Sequence, residues 1–102
     1  MWYNGSVKHY SWNNEKNRQL KAERKVSFEE VVFCIERARL LDIVEHPNQE
    51  RYGGQRIFIV NIRDYAYLVP FVETEREIFL KAVIPSRKAT KKYLGGNRDG
   101  ED

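Results

Sequence analysis

The sequence predicts an α+β fold with two N-terminal helices, a four-stranded antiparallel sheet and a C-terminal helix. Three observations predict it. A hydroxyl-capped stretch from Ser27 to Ala38 carries apolar residues at three- and four-residue spacing. Four runs between Leu40 and Ile84 are rich in Ile, Val, Leu, Phe and Tyr and are separated by short turns. A second hydroxyl, Ser86, opens a basic segment that closes on Gly95-Gly96. At 102 residues, 41% hydrophobic and 32% charged, the chain has the size of one domain and can hold a core without metal or disulfide. The same composition excludes collagen-like, disulfide-scaffold and wholly disordered classes.

Asn13 and Asn14 can cap the first helix, which runs to about Glu23; Leu20 and Ala22 are almost its only apolar members, so it lies on the surface. After a break at Arg24-Lys25-Val26, Ser27-Phe28-Glu29-Glu30 fits a capping box, with Val26 and Val31 placed for a hydrophobic staple. Phe28, Val31, Val32, Ile35 and Ala38 then form one apolar stripe, and Cys34 beside it reads as a buried structural thiol. The strands are predicted over Leu40–His46, Gln55–Arg63, Tyr65–Glu73 and Glu77–Ile84. Their links are too short for parallel crossovers, which predicts an antiparallel meander. Pro70 places the third strand at an edge or at a bulge. In the fourth strand, Ile78, Leu80, Ala82 and Ile84 are assigned to the helix-packed face, which turns Lys81 and Val83 to the open face. The last helix is expected from Arg87 to about Leu94.

Apolar runs fall far short of the roughly 20 residues of a membrane helix, and the first ten residues hold no signal-like apolar run, so the expected location is cytoplasmic, with no membrane partner. One cysteine and two histidines, His9 and His46, make a metal site improbable, and the glycine pairs lack the strand-to-helix setting of phosphate loops; neither metal nor cofactor is expected. The net charge of +3 conceals an uneven distribution: residues 81–94 carry +5 with no acid, while residues 27–50 carry −4. Lys81, Arg87, Lys88, Lys91 and Lys92 are therefore a candidate phosphate-binding surface, or else a solvated helix face.

Trp12-Asn13-x-x-Lys16-Asn17, then Val26-Ser27-Phe28-Glu29-Glu30-Val31, then a strand meander, then Ser86-Arg87-Lys88-Ala89-Thr90 and Tyr93, follow one another in an order that resembles the BrnT family. Members are toxins of bacterial type II toxin–antitoxin systems with a RelE-like ribonuclease fold. The resemblance covers roughly residues 11–94. It implies a single domain over 11–94, an N-terminal extension over 1–10, a flexible tail over 95–102, RNA as substrate, and a cognate antitoxin of ribbon-helix-helix type as partner. Typical members read Lys-His-Gly before the Val-Ser-Phe segment, where this chain has Glu23-Arg24-Lys25, so no histidine is carried over there.

Metal-independent RNA cleavage by 2′-hydroxyl attack needs a base, a positive group for the phosphorane and an acid for the leaving oxygen. Lys81 and Arg87 are the candidate positive groups, and Lys88, Lys91 and Lys92 the candidate RNA contacts. His46 is the candidate base or acid by its ordinary pKa; its other reading is a hydrogen-bonded residue at a strand end. Tyr93 or Glu73 stands in if His46 is remote, although Tyr93 also fits a core position against the second helix. The alternative from another class is a non-catalytic module that holds RNA or an acidic protein on the same basic surface.

Overall fold

The computed structural model describes residues 8–95. The expectations for residues 1–7 and 96–102 lie outside the described residues. The chain runs through β1 (His9–Ser11), α1 (Asn14–Arg24), α2 (Phe28–Glu36), β2 (Leu40–Glu45), β3 (Arg56–Ile62), β4 (Tyr65–Glu73), β5 (Glu77–Leu80), β6 (Ile84–Pro85) and α3 (Arg87–Thr90), and α3 passes into a π-helical turn over Lys91–Gly95. No helix among the described residues is long and apolar enough to cross a membrane.

The caps form as the sequence requires. Asn13 accepts the Lys16 N–H at 2.9 Å, and Ser27 accepts the Glu30 N–H at 3.1 Å. The second half of the capping box is replaced: the Glu30 carboxylate pairs with Arg63. In its place Asn17, only 5% exposed, reaches from α1 to accept the Phe28 N–H at 2.8 Å and donates to Glu29 at 2.8 Å. One amide thereby joins the two helices. α2 also ends earlier than its predicted stripe. Arg39 N–H bonds to Cys34 O and Ala38 N–H to Ile35 O, with Ala38 at φ 63°. That is the Schellman closure, with alanine where glycine is usual. Ala38 is exposed, not a core member, and the stripe is completed by Cys34, buried at 6%.

The predicted meander β2-β3-β4-β5 is present and antiparallel, but it is only part of the sheet. The order is β1-β5-β4-β3-β2, with β6 also paired to β4. β1 lies parallel to β5, His9 opposite Glu77, so the ordered sheet takes in residues assigned to the N-terminal extension. Arg63 and Asp64, both at positive φ, make the two-residue turn between β3 and β4, the arrangement whose twist matches a hairpin.

β3 is covered on both faces. Phe58, Val60 and Ile62 meet Phe28, Val31, Leu20 and Cys34 of the two N-terminal helices, together with Val69, Phe71 and Leu80. Ile59 and Ala66 meet Ala89, Tyr93 and Leu94 on the other face. Tyr93 thus packs on the side of the sheet away from α2, not against that helix.

Pro70 settles its two predicted options at an interior strand. β5 pairs with Phe71–Glu73 and β6 with Tyr67 and Leu68, and the chain bulges outward between them. Pro70 contributes only its carbonyl toward that side, accepting the Lys81 N–H at 2.8 Å. Its missing N–H falls where the ladder is interrupted. The interruption breaks the alternation expected through Ile84: Leu80 and Val83 are both buried, whereas Ile84 is 42% exposed. Lys81 is exposed, as expected, but at the end of a four-residue strand.

Candidate nucleic-acid interface

The segment from Ser86 to Thr90 divides its residues between two tasks. Ser86 N–H bonds to Ala66 O at 3.0 Å, and its hydroxyl accepts the Ala89 N–H at 3.0 Å. Thr90 Oγ1 donates to Ser86 O and accepts the Ala66 N–H, both at 2.8 Å. With Ala89 buried at 8% between them, Ser86, Ala89 and Thr90 fasten α3 to β4. The residues between and after them, Arg87, Lys88, Lys91 and Lys92, stay exposed. The short motif therefore reads as an anchor interleaved with charge.

Beyond α3 the π-helical turn crosses the sheet toward β2. Tyr93 Oη donates to Asp42 Oδ2 at 2.7 Å, and Asp42 Oδ1 accepts the Ile43 N–H at 2.7 Å. The Tyr93 hydrogen bond, followed by that of the Ile43 amide, holds the Asp42 carboxyl below its usual range. The same bond raises the Tyr93 phenol. The Tyr93 hydroxyl is thus engaged with Asp42 on β2. Lys92 places its ammonium 5.3 Å from the Tyr93 ring centre.

None of Lys81, Arg87, Lys88, Lys91 and Lys92 forms an ion pair among the described residues. Arg87 makes no bridge to Glu77, which instead accepts from the Ser11 hydroxyl. Lys81 and Arg87 leave the sheet near Pro70 and Ala66 of β4. Four residues of strand separate those points, about 14 Å, a span that two long side chains close only by leaning toward one another.

His46 stands elsewhere. It follows β2, three inter-strand steps from β5, about 14 Å at the usual spacing. Its Nδ1 accepts the Asn48 N–H at 3.1 Å, and its ring lies 4.3 Å from that of Tyr52. Glu73 is saturated: Lys8 lies at 2.5 Å and Arg56 pairs with the second oxygen, so its carboxyl is held below the usual range, first by the Lys8 hydrogen bond. The structure thus gathers the cations along one stretch and leaves His46, Glu73 and Tyr93 in three separate environments. Asp42 went unnoticed in the sequence. A carboxylate within Leu-Leu-Asp-Ile-Val is the available signal, since a polar group in a half-buried strand requires partners. Comparison with protein-family models, with curated proteins and with solved structures gives no match to this chain.

Proposed function

We propose that this chain is a cytoplasmic RNA-cleaving toxin of RelE-like fold that binds RNA on the cations of residues 81–92 and is neutralised by a ribbon-helix-helix antitoxin covering the same surface. The observation that carries the reading is that five cations occupy one exposed stretch with no carboxylate bound to any of them among the described residues. Unpaired cations are free to exchange their counterions for phosphates, which supplies most of the affinity for a nucleic-acid backbone. The ordered resemblance of residues 11–94 to BrnT toxins supports cleavage, and two helices on one sheet face opposite a basic C-terminal helix support the RelE-like assignment.

In the proposed reaction the 2′-hydroxyl gives up its proton to water as its oxygen bonds to the adjacent phosphorus, and the bond to the 5′-oxygen breaks as that oxygen takes a proton from water. The products are a 2′,3′-cyclic phosphate and a 5′-hydroxyl. Lys81 and Arg87 offset the charge that develops on the phosphorane oxygens. Lys81→Ala and Arg87→Ala each lower cleavage by roughly 10²–10³ while thermal melting is unchanged, since both residues are exposed. Purified chain incubated with RNA, with and without chelator, tests the reaction, and the cyclic phosphate identifies it. Full activity in the double variant removes both residues from the site.

The separation of His46 from Lys81 and Arg87 favours a second reading, a module that holds RNA without cutting it. Under that reading RNA is bound and recovered intact.

A further inference from the structure

Between Lys81 and Arg87 the chain passes a groove that the basic surface alone does not explain. Its volume is about 260 Å³, and one wall is the face of α1 formed by Lys16, Gln19, Glu23 and Arg24. The spacing of three and four residues aligns these side chains along one side of the helix. The opposite wall is the bulged segment Ala82–Ile84. Arg24 fixes that wall by donating to Val83 O at 3.1 Å, and Val83 anchors it in the core. Ile84 remains exposed on the wall although it is a large aliphatic residue.

We infer that this groove binds one base of single-stranded RNA, and that it prefers guanine. The inference rests on the RNA-binding reading of the flanking cations and adds a specificity site to it. Four observations carry it. The volume lies below the roughly 300 Å³ at which pockets for drug-sized ligands begin, so it suits a single ring system. Ile84 and Ala82 offer an apolar surface to a ring face. The Gln19 amide and the Glu23 carboxylate, one turn apart, have no hydrogen-bond partner among the described residues, so a donor and several acceptors are open to a base edge. The Glu23 carboxylate accepts two parallel hydrogen bonds from the N1–H and the N2 amino group of guanine, but only one from uracil's N3–H or from the amino group of cytosine or adenine. Finally, the two cations of the groove, Lys16 and Arg24, outnumber its one carboxylate, Glu23, which favours a polyanion over an acidic or neutral peptide. Single-stranded RNA is ordinarily read in this way, with bases splayed from the backbone and bound by their edges.

The test uses the full chain and two fluorescent oligomers, one of uridines only and one with a guanosine placed at each position in turn. The guanosine-bearing oligomer is expected to bind about tenfold more tightly, the scale of one base contact. Gln19→Ala and Glu23→Ala, both at exposed positions and checked by thermal melting, erase that preference. Lys88→Ala with Lys91→Ala weakens both oligomers and keeps their ratio. Equal binding of the two oligomers, or groove variants that bind like the parent chain while the lysine variant is weakened, overturns the base site and leaves the RNA reading standing. Absence of binding to either oligomer at low salt overturns both.

Discussion

Asn17 shows how much one side chain decides. It is buried, its oxygen satisfies the first free N–H of α2, and its nitrogen holds Glu29. Removing it leaves a buried amide without a partner. Asn17→Ala therefore costs roughly 2 kcal/mol, against about 1 kcal/mol for loss of the Ser27 cap; urea denaturation of the two variants checks the order. The sequence announced Ser27 through its spacing to Glu30, but nothing along the chain marks Asn17 as a partner of Phe28. Tyr93 and Asp42 present the same difficulty, because 51 residues separate them. Their bond has a signature in pH. The Asp42 carboxyl is lowered on folding, so its contribution is present above the unfolded value of about 3.9 and is lost as pH falls through the lower folded value. The Tyr93 phenol is raised, so its contribution is complete below about 10 and is lost as pH rises through the folded value. Tyr93→Phe lowers the denaturation midpoint at about pH 8 and removes the part of the decline that sets in above about pH 10, which titrated denaturation curves report.

Elements were legible where their causes are local. β-branched and aromatic runs placed β2 to β5 with closely matching starts, and cap hydroxyls placed the starts of α2 and α3. The end of α2 was less legible, because Ala38 continues the apolar spacing and also fits the closing turn. Hydrogen bonds to Cys34 and Ile35 carbonyls decide the matter. Since alanine at φ 63° is strained and glycine is not, Ala38→Gly is expected to stabilise the domain by about 1 kcal/mol, read as a rise in urea midpoint. The strand after Glu77 is shorter than its apolar run predicts because its interruption is set by Pro70, a residue of another strand. Its alternation could not be continued past Lys81 from sequence spacing alone.

Across the whole molecule, charge and topology separate two surfaces of the sheet. Helices α1 and α2 cover one face, and the basic C-terminal segment lies across the other. The cations could be counted in the sequence, but not that none of them forms an ion pair among the described residues, which depends on where Glu73, Glu77 and Asp42 find other partners, although Lys92 still acts on Asp42 through space. If Lys88 and Lys91 each neutralise one phosphate, replacing both with alanine reduces the slope of log affinity against log salt by about 1.4 for single-stranded RNA; anisotropy titrations at several salt concentrations measure it. Cap residues and apolar spacing placed the helices, and a count of charges the basic segment, while β1 escaped because three residues carry no readable alternation. Yet β1 sets a timetable for the chain. His9 to Ser11 are made early, and their parallel partners begin at Glu77. At about 5–20 residues per second of synthesis, roughly 3–14 s pass before that partner exists. β1 therefore waits for β5 before it can be seated, long after the two helices that follow it have been made, and a nascent chain released before Glu77 leaves it with nothing to pair.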